Sequence, residues 1–281
     1  MTDPTTGDAR ESLLRAEDVV VSYGHGRKAV RVLHGVSIDV APGECVGLVG
    51  ESGSGKSTLG KAILGLVPVA GGSIRFDGRD ITRLRGAERR ALSSDIQVVF
   101  QDPYGSLDPR KPIGQIVAEP LAVARLGRTA IEARVREMLD HVRLPKDAAR
   151  RFPNEFSGGQ RQRIAIARAL INAPRLVVCD EPVSALDLTT QAAILDLFIE
   201  LQRETRVAYL FVSHDLGVVR RVCHRVAVMY RGNIVESGEG EAVTRRPEQL
   251  YTQKLLMASP VADPVRQAKR REEWLALRET S

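Results

Sequence analysis

The sequence predicts an α/β fold in which a parallel sheet is flanked by helices, preceded by a small antiparallel β subdomain and interrupted by a helical insertion. Three observations predict it. Strand-like and helical runs alternate over 176–180, 188–203, 208–213, 215–222 and 225–230, a rhythm that favours parallel strands joined by crossover helices. The apolar run Cys45-Val46-Gly47-Leu48-Val49 passes through the glycine-rich stretch Gly50–Thr58 into a helical pattern carrying Leu59, Ala62, Ile63, Leu64 and Leu66. Prolines at 103, 109, 112, 120, 145 and 153 break the rhythm between Asp102 and about Ala173, with helical stretches such as 128–142 between them.

The elements follow in chain order. Val19-Val20-Val21-Ser22-Tyr23 and Val36-Ser37-Ile38-Asp39-Val40 read as strands, with turns at Gly24-His25-Gly26 and Ala41-Pro42-Gly43. Gly71–Gly78 reads as a further strand ending in a turn, which completes a small antiparallel sheet. Ile96–Phe100 is a core strand. In the 188–203 helix, Ile194, Leu197, Phe198 and Leu201 share one face. Residues 1–11 are polar and are expected to be disordered. Residues 12–260 form the main domain, with its helical subdomain at about 102–173, and 231–281 form a C-terminal extension overlapping its end. Arg266, Lys269, Arg270 and Arg271, followed by Glu272 and Glu273, read as a solvated terminal helix, with a partner or membrane contact as the alternative.

Composition excludes several classes. The chain of 281 residues is long enough to bury a full core, and its 43% hydrophobic content is ordinary for a globular protein. No run of about 18 uncharged apolar residues occurs, so no transmembrane helix is expected. The first eleven residues lack the apolar stretch of a secretory signal. Cys45, Cys179 and Cys223 lie far apart and form no metal-ligand pair; they read as buried thiols of a reduced, cytoplasmic protein. A net charge of +6 invites nucleic acid or an anionic membrane face as partners. The basic residues are interspersed with acidic ones, and only 4% of residues are aromatic, so no base-stacking surface and no nucleic-acid partner are expected.

The stretch after the first core strand carries the chemistry. Its residues are Gly50, Glu51, Ser52, Gly53, Ser54, Gly55, Lys56, Ser57 and Thr58. A strand, a glycine-rich loop and a helix are what a phosphate cradle needs: the glycines let backbone N–H groups converge, and the helix N-terminus adds positive potential. Lys56 would reach the β- and γ-phosphates, and the Ser57 hydroxyl would ligate Mg²⁺. Further on, Leu176-Val177-Val178-Cys179-Asp180-Glu181 is an apolar strand ending in two carboxylates. Asp180 is placed to hold Mg²⁺, and Glu181 to orient or deprotonate an attacking water. Phe156-Ser157-Gly158-Gly159-Gln160 opens a basic helix, with Ser157 as a natural N-cap and two glycines leaving backbone donors bare for a phosphate.

Together these stretches resemble the nucleotide-binding subunits of ABC transporters over about residues 12–260. The resemblance implies a P-loop NTPase core in the ABC ATPase fold, with ATP and Mg²⁺ as its cofactors. The 156–160 stretch is similar to the family's signature motif, with Phe156 in place of the commonest leucine. Gln101 resembles the Q-loop glutamine, implying contact with Mg²⁺ and water and a sensor role toward the membrane partner. Ser184-Ala185-Leu186-Asp187 resembles the D-loop, and Asp187 also reads as the N-cap of the helix that follows. His214, in Val212-Ser213-His214-Asp215, resembles the switch histidine that contacts the γ-phosphate, and Tyr23 the aromatic that stacks on adenine. The implied catalytic residues are Glu181, His214 and Gln101. In the family, Ser157 and Gly159 contact ATP bound to the opposite subunit. The resemblance therefore implies a head-to-tail dimer with two ATP molecules between identical or homologous subunits. It also implies two transmembrane permease subunits, a solute-binding protein outside the cell acting indirectly, and a peripheral position on the cytoplasmic face of the inner membrane.

Finer resemblance points to the ATPases of the oligopeptide, dipeptide and nickel importer group. It rests on Phe100–Arg110, Gly158–Ile164, Asp180–Asp187 and the C-terminal Tyr251-Thr252-Gln253-Lys254-Leu255-Leu256. Glu248-Gln249-Leu250 departs from that group, which usually carries a His-Pro pair before the tyrosine. Peptide import is the first reading. Nickel, opine and glutathione import, and an accessory ATPase of phosphonate breakdown, stand as alternatives.

Overall fold

Apolar residues at alternating positions give the first two strands one face to bury and one to expose. In the computed structural model, which describes residues 12–24, 26–123 and 126–258, these are β1 (Leu14–Tyr23) and β2 (Val30–Val40). The expectations for residues 1–11 and 261–281 lie outside the described residues. Both strands are longer than the runs read from sequence. The β1 register shifts between Ala16 and Val19 and again between Val19 and Val20. Asp18 there takes a left-handed φ of 50°. The bulge moves the apolar set by one residue, so the period-two pattern breaks while the pairing continues.

The chain then forms β3 (Cys45–Val49) and α1 (Lys56–Ile63), β4 (Gly71–Phe76) and β5 (Arg79–Asp80), α2 (Gly86–Ala91) and β6 (Ile96–Val99). Among the described residues, four α-helices lie between β6 and the next strand: α3 (Pro103–Ser106), α4 (Ile113–Ala118), α5 (Arg128–His141) and α6 (Gly158–Leu170). The α/β alternation resumes with β7 (Leu176–Asp180), α7 (Leu188–Thr205), β8 (Ala208–Ser213), α8 (Leu216–Val222) and β9 (Arg225–Tyr230). It ends with β10 (Asn233–Glu239), α9 (Gly240–Arg245) and α10 (Leu250–Ala258).

The strands form two sheets, ordered β2-β1-β4-β5 and β10-β9-β3-β8-β7-β6. The first is antiparallel. In the second, β9, β3, β8, β7 and β6 are parallel, and β10 pairs antiparallel on the outer edge of β9. Strands covered on both faces read as continuous apolar runs, which is why β3, β7 and β8 stood out in the sequence. Val46, Leu48, Val178 and Leu210 face the antiparallel sheet and α1, packing with Leu14, Leu33, Leu59 and Ile63. Val49, Val177, Tyr209 and Phe211 face the helices, packing with Ile164, Phe198 and Val219. Phe198 stands edge-on to Tyr209 and to Phe211, with ring centroids 5.5 Å apart in both pairs, the geometry that aromatic quadrupoles favour.

A polar tie crosses between the sheets. Arg225 on β9 donates to both oxygens of Asp39 on β2, at 3.0 and 3.1 Å, and to Glu44 at 3.3 Å. The guanidinium holds the Asp39 carboxyl below the usual carboxylate range. The three cysteines are free and buried, with the Cys45 and Cys223 sulfurs 3.4 Å apart. No described helix is long and apolar enough to cross a membrane.

Candidate functional site

Parallel strands bring their carboxyl ends to one edge of a sheet, where ligands of α/β proteins bind. Here β3 runs into Gly50–Thr58, β6 leads to Gln101, β7 ends at Asp180 and runs into Glu181, and β8 leads to His214. Four groups separated widely in sequence thus leave the sheet on the same side.

The glycine loop is shaped by its backbone. Gly53 and Gly55 adopt φ of 81° and 108°, the left-handed region that favours glycine, and Gly55 directly precedes α1. A Cβ on Gly50 would lie 2.1 Å from the Met229 carbonyl oxygen, so the loop can rest on the end of β9 only without a side chain there. Gly232, in the β9–β10 turn, donates its N–H to the Ser54 carbonyl at 2.8 Å. Glu51 donates its N–H to the Tyr251 hydroxyl at 3.0 Å. The Ser54 hydroxyl oxygen is buried without a hydrogen-bond partner among the described residues.

Lys56 opens α1 and is 4% exposed. Its Nζ donates to the carbonyls of Gly50 at 2.7 Å and Glu51 at 2.8 Å. Burial lowers its pKa, against the opposing pull of Glu181, Asp180 and Glu51. Its neighbour Ser57 donates to Asp180 Oδ1 at 2.9 Å. Burial pushes the Asp180 pKa up, against the Ser57 hydrogen bond, which lowers it. A hydroxyl and a carboxylate side by side are hard oxygen donors of the kind Mg²⁺ takes, and Mg²⁺ fills much of its shell with water and phosphate oxygens. Both this pair and the buried ammonium at a helix N-terminus fit a Mg²⁺–phosphate ligand.

Beyond Asp180 the backbone turns sharply. Glu181 has φ 48°, a left-handed conformation that costs a non-glycine residue about 1–3 kcal/mol. It is held there by its N–H donating to the Val212 carbonyl at 3.0 Å and by the Ser184 hydroxyl donating to its carbonyl at 3.1 Å. The turn aims its side chain at His214, whose Nδ1 is 3.0 Å from Glu181 Oε2. Tyr23, at the end of β1, is 43% exposed, and its hydroxyl lies 3.5 Å from Thr58 Oγ1.

The other residues singled out in the sequence make no described hydrogen bond to this cluster. Gln101 is exposed just past β6. Ser157 caps α6: its N–H donates to Gln160 Oε1 at 3.0 Å, and its hydroxyl accepts the Gln160 N–H at 3.4 Å. With Ser157 as the cap, Gly158 and Gly159 form the first turn of α6. Among the described residues no hydrogen bond joins Ser157–Gln160 to the glycine loop. Asp187 caps α7, accepting the Thr190 N–H at 3.0 Å and its hydroxyl at 2.6 Å. Two partners of the loop escaped the sequence reading, Gly232 and Tyr251. Nothing in a linear pattern places either beside residues 50–58.

Comparison with known proteins identifies the family. The profile of the ABC transporter family matches residues 33–184, more than half of the chain. The glutathione import ATP-binding protein GsiA of Pectobacterium atrosepticum is 52% identical over 277 residues, covering 96% of this chain and 44% of that protein. GsiA of Escherichia coli K12 is 50% identical over 270 residues, covering 93% and 43%. The chain thus spans less than half the length of the curated relatives it matches. Among solved structures, the cassette MJ0796, a post-hydrolysis dimer bound to ADP and Pi, superposes with a TM-score of 0.72 at 30% identity, covering 80% of this chain and 98% of that one. The Clostridium perfringens cbiO1 subunit, part of the transporter complex cbiONQ, superposes with a TM-score of 0.76 at 28% identity, covering 85% and 92%. With the family profile matched over more than half of the chain and relatives 50–52% identical across nearly all of it, the chain belongs to the ABC transporter family.

Proposed function

We propose that the chain is the ATP-hydrolysing subunit of an ABC importer that powers uptake of a peptide-type solute. The observation that carries this reading is the pair of contacts at the end of β7: Ser57 to Asp180 at 2.9 Å, and His214 to Glu181 at 3.0 Å, one residue apart. Lys56 and the loop N–H groups bind the phosphates. Ser57, Asp180 and Gln101 would hold Mg²⁺, which when bound would supply positive charge against the phosphate oxygens. Glu181 orients the attacking water and accepts its proton. The Glu181–His214 hydrogen bond fixes the imidazole ring so that its other nitrogen faces the γ-phosphate. Tyr23 stacks on adenine.

Ser157–Gln160 bond to one another and to their own helix, and we assign them to the nucleotide held by a second cassette. The dimeric state of MJ0796 supports that assignment. ATP bridges two such subunits, and its hydrolysis removes the γ-phosphate contacts that favour closure. The second cassette is identical or homologous, and two permease subunits carry the solute at the cytoplasmic face of the inner membrane. Residues 12–260 form the working domain, with 102–173 as its helical subdomain. Glutathione, itself a tripeptide, leads among solutes because the GsiA relatives, at 50–52% identity, are glutathione import ATP-binding proteins. The test is uptake of labelled glutathione and of a labelled tripeptide by the source cells, wild type against a chromosomal Lys56→Ala. Loss of uptake is expected. Unchanged uptake of both would contradict the import reading.

A further inference from the structure

The phosphate loop is gripped from the far end of the chain. The Gly50–Glu51 peptide is bonded at both of its polar atoms: its carbonyl accepts from Lys56 Nζ at 2.7 Å, and its N–H donates to the Tyr251 hydroxyl at 3.0 Å. Gly50 leaves no room for a side chain against β9, since a Cβ there would lie 2.1 Å from the Met229 carbonyl oxygen. The peptide plane that pairs with Lys56 therefore takes its orientation partly from a residue on α10.

Tyr251 is itself well placed. Its ring packs on Tyr230, with centroids 4.3 Å apart and planes at 39°, and Arg231 lies over the other member of the pair at 5.1 Å. The start of α10 is tied to β10 by Glu236, whose two oxygens accept the N–H groups of Glu248 at 2.8 Å and Gln249 at 3.2 Å. That tie falls in the stretch that departs from the His-Pro pair of the resembled importer group. The ring contact and the helix anchor bring the hydroxyl to the loop, and the hydroxyl itself touches only the loop backbone among the contacts described.

We propose that Tyr251 is a positioning residue of the phosphate loop: its hydroxyl fixes the peptide whose carbonyl holds Lys56, so that the C-terminal segment sets the loop's affinity for the triphosphate. The inference rests on the phosphate-site reading above. Tyr251→Phe keeps the ring stack and removes only the hydroxyl, which separates positioning from folding. Calorimetric titration of the full-length chain with Mg-ATP should give binding about two- to tenfold weaker for Tyr251→Phe, the change expected from losing one hydrogen bond. Thermal unfolding without nucleotide should stay within about 2 °C of wild type, because the lost contact is exposed to water. An ATP affinity equal to wild type, with Lys56→Ala still weakening binding, would overturn the inference and leave the site reading intact. Unchanged affinity in Lys56→Ala as well would overturn the site reading and the inference with it. A large fall in the nucleotide-free melting temperature of Tyr251→Phe would assign the hydroxyl to folding and also overturn the proposal.

Discussion

Gly159→Ala should destabilise the protein, although alanine is the better helix former. The residue sits in the first turn of α6, where a built Cβ would lie 2.3 Å from Thr190 Cγ2 on α7. Carbon atoms pack comfortably at about 3.5–4.0 Å, so more than about 1 Å must be found. Thr190 cannot turn aside cheaply. Its hydroxyl donates to Asp187 Oδ2 at 2.6 Å, so rotating the methyl away breaks that bond, although the backbone N–H of Thr190 keeps its own bond to Oδ1 at 3.0 Å. Overpacking of this kind costs about 1–3 kcal/mol. The helix-propensity gain of at most about 1 kcal/mol is only partly realised in a first turn. A net loss of about 1–2 kcal/mol follows, or roughly 3–6 °C in melting temperature. The assay is a double-mutant cycle by urea unfolding with Thr190→Ser, which deletes Cγ2 and keeps the capping hydroxyl. In that background Gly159→Ala should cost almost nothing. Additivity of the two changes to within about 0.3–0.5 kcal/mol would refute the clash.

Two further outcomes are expected. Arg225 depresses the Asp39 pKa in the folded state, so the pair's contribution is complete above the ordinary carboxylate pKa of about 3.9 and is lost as pH falls through the depressed value. With the Asp39 carboxylate 41% exposed, Asp39→Asn should cost only about 0.5 kcal/mol at pH 7. In urea titrations that gap should close as pH drops below about 4, and a constant gap would contradict the linkage. Tyr23→Ala should weaken ATP binding by about 1–3 kcal/mol while the turnover of saturated enzyme changes little; a fall in turnover with unchanged affinity would remove Tyr23 from the adenine site.

Much of this architecture was legible because its signals are local. β3, β7 and β8 are buried on both faces and so appear as unbroken apolar runs, and the loop after β3 is a contiguous string of glycines and hydroxyls. Ser157 and Asp187 were readable as caps because a cap bonds residues three positions away. The illegible features are those set by tertiary approach. The Asp18 bulge hid the first half of β1, since a one-residue slip destroys the alternation by which strands are recognised. The left-handed backbone of Glu181 is imposed by Val212 and Ser184, not by any preference of glutamate. Gly159 looked like a bare donor for phosphate; the structure adds that its missing side chain is what lets α6 meet α7. Tyr251 reaches Glu51 from α10, where its ring packs on Tyr230 at the end of β9, an approach with no trace in residue order.

We propose Glu181 as the group that takes the proton from the water attacking bound ATP, and the mechanism stands or falls on it. The direct test is phosphate release from Mg-ATP by purified Glu181→Gln beside wild type, with ATP binding measured on the same samples. Binding should be retained and turnover reduced by about 100-fold or more. Turnover within about twofold of wild type would contradict it.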